Sequence, residues 1–142
     1  DDASYDLVYS HQVFEHVRYP EGALKEIRRV LSDGGHFVGQ TSQCEPYHSY
    51  SMWNFTIYGF KRIVEDAGLK LIEIRPSIDG FTLMERAYKG RPPEYSKYFS
   101  EESPVNQEIE KVAGNNNKSH SIINHRKLQI CGQFCFVITK NN

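Results

Sequence analysis

Three features of this 142-residue chain predict an α/β fold built on an open, doubly wound sheet. Leu7-Val8-Tyr9 is a short apolar run with little alternation, the pattern of a strand covered on both faces in a parallel sheet. Apolar residues then recur at helical spacing in Ala23, Leu24, Ile27, Val30 and Leu31, with Lys25, Glu26, Arg28 and Arg29 on the wetter face. The third feature is order: strand, helix, strand, helix and strand succeed one another from Tyr5 to Arg75, before a long insertion and a last strand.

The first strand is expected over Tyr5–Ser10, followed by a loop and short turn from Ser10 to Val17. Pro20 presets the first helical turn, where its missing N–H costs nothing, and Gly34 or Gly35 supplies a left-handed stop. His36–Gln43 reads as the second strand, with Phe37 and Val38 as its apolar part. A loop rich in polar and aromatic groups then runs from Gln43 to Phe55. Thr56 caps a helix in which Ile57, Phe60, Ile63, Val64 and Ala67 line one face, and Gly68 closes it. Leu69–Arg75 is a third strand that Pro76 ends, and Leu128–Thr139 is the last.

Roughly 50 residues separate those two strands, far more than a hairpin loop needs. Thr82–Lys89 and Val105–Val112 read as helical, with Pro92-Pro93 and Gly114-Asn115-Asn116-Asn117 as punctuation. Ser119–Lys127 reads as a last helix or an irregular lead-in. The expected division is an α/β core over residues 1–80 and 128–142, with 81–127 as a partly helical cap.

Apolar residues make up 39% and charged residues 25% of the chain, at a formal net charge of −1, which favours a globular domain over a disordered one. That balance leaves no electrostatic footprint for nucleic acid and no polybasic membrane patch. No apolar run reaches the roughly 20 residues that span a bilayer. Cys44, Cys131 and Cys135 lack a metal-ligand pattern, so reduced thiols in a cytoplasmic setting are expected, with Cys131 and Cys135 as small core residues.

Asp6-Leu7-Val8, Glu15-His16, Glu26-Ile27 with Arg29-Val30-Leu31, and Gly34-Gly35 occur in that order within about 30 residues. As a set they closely resemble the middle of the class I S-adenosylmethionine-dependent methyltransferases, in the small-molecule branch. The resemblance covers Tyr5 to Arg75 well and Leu128 to Lys140 loosely. It implies a Rossmann-like sheet of order 3-2-1-4-5-7-6 with strand 7 antiparallel. On that template this chain carries strands 4-5-7-6, the second half of the fold. Family members place a glycine-rich turn and an acidic residue after strand 1, and acidic residues after strands 2 and 3, to hold the cofactor. None of these is present, since Gly34-Gly35 follows a helix. The chain begins with Asp1 and is read as an excised or processed piece. It is expected to supply only strand 4's side of the cofactor crevice and to be inactive alone.

By the same resemblance, Ser10, His11, Gln12 and His16 are candidate cofactor-binding residues for S-adenosyl-L-methionine. His11 is the candidate catalytic residue, a base or an acceptor-orienting group, because imidazole titrates in the useful range; hydrogen bonding to loop backbone is its plainer role. His16 is expected to brace the turn rather than react. Tyr47, His48, Tyr50 and Trp53 are the candidate binding residues for a small-molecule methyl acceptor, offering flat apolar surfaces with polar tips. Trp53 packing under the following helix is the alternative for that residue. Arg75, Asp79 and Arg86 are either clamps for a charged acceptor or solvated charges. His11, Glu15 and His16 lack the two-histidine helical motif of zinc hydrolases, so no metal is expected.

The activity thus expected is methyl transfer to a small molecule. A non-catalytic, methyltransferase-like partner or scaffold module is the alternative that the missing cofactor motifs support. A nicotinamide-dependent half-fold is weaker, as the chain offers no fingerprint for it. The apolar edge Tyr5–Ser10, lacking a neighbour on one side, is expected to self-associate, giving a homodimer about a two-fold axis.

Overall fold

The computed structural model describes residues 1–140. Strand β1 (Tyr5–His11) leads through a 3-10 turn (Phe14–His16) into helix α1 (Pro20–Val30) and strand β2 (Leu31–Ser42). Helix α2 (Ile57–Asp66) and strand β3 (Leu69–Pro76) follow. Helices α3 (Gly80–Tyr88), α4 (Pro104–Asn115) and α5 (His120–Ile130), with a 3-10 stretch at Pro93–Phe99, lie between β3 and strand β4 (Gln133–Lys140). The sheet order is β1-β2-β4-β3. β1 and β2 are parallel, whereas β4 runs antiparallel to both β2 and β3. This is the mixed sheet expected for strands 4-5-7-6.

Local chemistry explains most of these boundaries. Thr56 caps α2 by accepting a hydrogen bond from the Gly59 N–H at 3.1 Å, and Gly68, at φ +74°, turns the chain out of that helix into β3. The core is an aromatic stack on one face of the sheet. Phe60 of α2 meets Phe134 and Phe136 of β4 at ring-centroid distances of 5.3 and 4.8 Å, and Phe136 meets Phe37 of β2 at 5.0 Å. Leu24, Leu31, Val64, Leu69 and Ile138 complete it, all fully buried.

Four sequence expectations are corrected. The Gly34-Gly35 pair does not stop α1, because the residue after Val30, Leu31, is already extended. Instead Tyr5 pairs with Leu31 but Leu7 with His36, so Ser32–Gly35 loops out of register and Gly34, at φ +80°, makes that bulge. The last strand does not begin at Leu128, since Leu128–Ile130 form the final turn of α5. The alternating Leu128, Ile130 and Cys131 looked strand-like, but Gly132 marks a close passage, where a Cβ would meet Leu83 and lie 3.2 Å from the Gly80 Cα. Only Cys131 is a core residue; Cys135 lies exposed on β4. Finally, β1 is covered on one face, not two: Leu7 is 59% and Tyr9 67% exposed. The core helices pack on the Val8 and Ser10 side, and nothing among the described residues covers the other.

Candidate functional site

Because β1 and β2 are parallel and adjacent, their carboxyl ends reach the same edge of the sheet. Open α/β sheets bind their ligands there. Ser10 pairs in register with Gly39 and is buried, and its Oγ has no hydrogen-bond partner. Gln12 adopts φ +53° and its N–H still donates to the Gln40 carbonyl at 3.0 Å, so the chain turns sharply without losing its hold on β2. The Gln12 side chain accepts from the Ser42 hydroxyl at 3.3 Å, while its buried Nε2 finds no acceptor.

A polar network extends from this point across β2 and β4. The single Ser42 hydroxyl proton is shared between Gln12 and one Glu45 oxygen, and Gln133 Nε2 donates to the other Glu45 oxygen at 3.1 Å. Gln40 Nε2 donates to Gln133 Oε1 at 3.1 Å and to Ser77 Oγ at 2.9 Å. Three glutamines, two serines and a glutamate thereby fix one another in place. Above them lies a cavity of about 250 Å³, lined on its polar side by Gln12, Glu45, His48, Arg86, Arg91 and Gln133. Arg86 comes from α3 and Arg91 follows it; the Arg86 guanidinium stacks 5.3 Å from the Phe99 ring, and its buried Nε has no partner. Arg86 and Arg91 line this cavity together with Glu45, and arginines suit an anionic ligand group.

The candidate residues divide between two places. Ser10, Gln12, His16 and His48 converge on the edge just described. His11 points the other way, exposed, with its ring stacked 6.3 Å from that of Tyr9. Glu15 is fully buried behind the edge: Thr41 Oγ1 donates to its Oε2 at 3.1 Å, and its backbone carbonyl accepts from the Met52 and Trp53 N–H groups at 2.7 and 3.2 Å. The Trp53 indole N–H donates to the Val17 carbonyl at 2.8 Å. The turn after β1 and the loop after β2 are laced together by these bonds. Tyr47 and Tyr50 remain exposed and line an open hollow with His16, Ser49, Ser51 and Met52. Arg91, Gln133 and Glu45 were not singled out from sequence. Arg91 and Gln133 lie over 40 residues from Glu45, and only the packing of α3 and β4 against the loop brings them together.

The unpartnered Ser10 Oγ and Gln12 Nε2 fit the polar amino-acid end of S-adenosylmethionine as one wall of a binding site. Residues 1–39 match the family described as "Methyltransferase domain". No curated protein matches the chain in sequence. Among solved structures it resembles a complex of the Haloferax volcanii Trm112 methyltransferase activator with a protein assigned as a methyltransferase, at 18% identity and TM-score 0.59 over 100% of this chain and 57% of that one. It also resembles the Haemonchus contortus phosphoethanolamine N-methyltransferase 2 bound to S-adenosyl-L-methionine, at 16% identity and TM-score 0.54, covering 100% of this chain and 34% of that one. The [4+2]-cyclase SpnF is similar at 13% identity and TM-score 0.52, with 98% and 50% covered. The chain thus spans about half or less of the length of these structures. It has the fold of the S-adenosylmethionine-dependent methyltransferases, and its first 39 residues carry the sequence pattern of the methyltransferase-domain family.

Proposed function

We propose that this chain is part of an S-adenosylmethionine-dependent methyltransferase acting on a small acceptor that bears an anionic group. The observation that carries this reading is the pairing of unfilled polar atoms at the end of β1 with the Arg86–Arg91 cavity beside them. Bound there, the cofactor supplies an electrophilic methyl on a sulfonium. Ser10 and Gln12 hold its amino-acid end, and His16 braces the turn behind it. Arg86 and Arg91 hold the acceptor's negative group, and His48 lines the same cavity. Tyr47, Tyr50 and Trp53 offer apolar surface at the mouth. Much of the rate in such a displacement comes from holding the two reactants in line. A base is needed only where the acceptor loses a proton, and His11, the end residue of β1 paired with Gln40, serves as that base only if the end of the strand turns toward the cavity.

Residues on β1 form one wall of the cofactor site, so this chain by itself binds the cofactor weakly and is inactive. Calorimetry with S-adenosylhomocysteine on this chain and on the longest protein containing it tests the proposal. Binding by the longer protein is expected, and its failure there removes the cofactor assignment. That failure favours the second reading, a methyltransferase-like scaffold; SpnF, which is named a cyclase, illustrates how far reactions diverge on this fold. The free edge of β1, with Tyr5, Leu7 and Tyr9 exposed beside it, supports self-association through Tyr5–Ser10. Sedimentation checks this, a monomer at high concentration being the contrary result. The three free thiols fit a cytoplasmic setting. None of the described helices is long and apolar enough to cross a membrane.

A further inference from the structure

We propose that Glu15, His16 and His48 bind one divalent transition-metal ion of the zinc class, joining the turn after β1 to the loop after β2. One ligating atom from each residue lies within 4.8 Å of those of the other two. Glu15 Oε1 and His16 Nε2 are 4.0 Å apart, and the His16 and His48 rings meet edge to face with centroids 5.2 Å apart. Around a tetrahedral zinc ion with bonds of about 2.0–2.1 Å, ligand atoms stand about 3.4 Å from one another. Binding therefore draws the three atoms together by about 1.4 Å at most.

Two further observations point to a cation. Glu15 is fully buried, and while Thr41 satisfies its Oε2, its Oε1 has no hydrogen-bond partner. Among the described residues no lysine or arginine pairs with it; the one ionisable side chain within 4.0 Å of it is His16. A buried carboxylate oxygen left bare is costly, and a metal ion satisfies it directly. The second observation is the tautomer of His48. Its Nδ1 lies 3.1 Å from the Pro46 carbonyl, which can only accept, so Nδ1 carries the proton and Nε2 the free lone pair. A backbone carbonyl on the far nitrogen is the usual support of a metal-binding imidazole, and the Thr41 hydroxyl supports the carboxylate in the same way.

Two imidazoles and one carboxylate form a borderline donor set, suited to zinc, cobalt or nickel rather than magnesium or calcium. Three protein ligands leave a fourth position for a water or an anionic donor, and of the three residues His16 also lines the hollow with Tyr47 and Tyr50. This departs from the sequence expectation of no metal, which rested on the lack of a two-histidine helical motif among His11, Glu15 and His16.

The test is titration of the chain with Zn²⁺ alone and with Co²⁺ alone, in a Cys44→Ser background that removes an exposed thiol. One equivalent is expected to bind, with the visible bands of a low-coordinate cobalt site. His16→Asn, His48→Asn and Glu15→Gln should each weaken binding at least about tenfold. Zn²⁺ should raise the unfolding temperature of the parent and not of the His48→Asn protein. Both histidines are half-buried, so their variants should keep the fold, which circular dichroism verifies. Absence of saturable binding overturns the proposal. So does unchanged affinity in the two histidine variants, which would place the ion elsewhere.

Discussion

Replacing Gly39 by alanine should unfold the edge on which the site is built. Gly39 pairs with Ser10 and faces Phe136 across the sheet. A Cβ at this position would stand 2.6 Å from the Phe136 Cζ and closer still to the Ser10 carbonyl oxygen. Carbon atoms pack comfortably at about 3.5–4.0 Å, so the ring would have to move by about 1 Å. It has nowhere to go, because Phe136 is wedged between Phe37 and Phe60 at 5.0 and 4.8 Å. The other obstacle is backbone and cannot rotate away. Overpacking costs about 1–3 kcal/mol where a flexible side chain yields, and two rigid neighbours put this case at or above about 3 kcal/mol. That corresponds to a fall of roughly 10 °C in unfolding temperature for a domain of this size. Urea titration followed by tryptophan fluorescence measures it, with Gly114→Ala as the comparison. Gly114 has nothing within 4 Å of its added Cβ and sits in α4, so alanine there should stabilise by a few tenths to about 1 kcal/mol. A Gly39→Ala protein within about 0.5 kcal/mol of the parent would refute the register of β1 on β2, and with it the placement of Ser10 and Gln12.

Other perturbations probe the site and its supports separately. Asp79→Ala removes the cap of α3, whose buried carboxylate accepts from the Thr82 N–H and hydroxyl at 2.8 and 2.7 Å. It should cost about 2 kcal/mol in denaturant titration and loosen the helix that carries Arg86. Arg86→Ala should raise KM for an anionic acceptor at least about tenfold with a smaller change in kcat, measured on the active protein containing this chain. An unchanged KM would remove Arg86 from the acceptor site. Burial pushes the Cys131 thiol up to about 12. The thiol therefore stays protonated in the folded chain while its unfolded counterpart ionises from about pH 9, so stability should fall as pH rises from there toward about 12. Below pH 9 this group should contribute no pH dependence. At neutral pH, thiol reagents should label Cys44 in the folded chain and Cys131 only after unfolding, read by mass spectrometry.

The fold was legible where one local signal sufficed. Thr56 before an apolar face and Gly68 after it bracket α2, and helical periodicity with Pro20 marks α1. The errors arose where a residue answers to a distant one. Gly34 looks like a helix stop but serves a bulge that exists only because β1 lies alongside. Leu128 and Ile130 alternate like a strand, yet they close a helix against the sheet, and the strand waits for Gly132 to pass Leu83. Within the proposed site, Ser10, Gln12 and His16 stand out in the sequence because they belong to one contiguous crest. His48 was visible as a loop aromatic but not as a partner of His16, to which it is brought by backbone bonds from Met52 and Trp53 to Glu15. Arg91 and Gln133 carry no local mark at all.

Where the structure leaves its polar groups unsatisfied is itself informative. Among the described residues, five buried side-chain atoms lack a hydrogen-bond partner: Ser10 Oγ, Gln12 Nε2, Glu15 Oε1, Arg86 Nε and Asn106 Oδ1. Three of them fall between Ser10 and Glu15, and Arg86 lines the cavity beside Gln12. Each such atom costs about 1–3 kcal/mol when nothing fills its valence. Asn106 Oδ1 apart, buried groups elsewhere are satisfied, as at Asp79, Gln40 and Lys127, the last paired with Glu102 and Glu110 at 2.7 Å each. A chain that places its open valences along one sheet edge, and holds that edge rigid with three glutamines and two serines, is arranged to have them filled from outside. The proposed cofactor, acceptor and metal differ in chemistry as these atoms do. The carboxylate of Glu15 asks for a cation, Arg86 for an anion, and Ser10 with Gln12 for a polar partner that can both give and take a hydrogen bond.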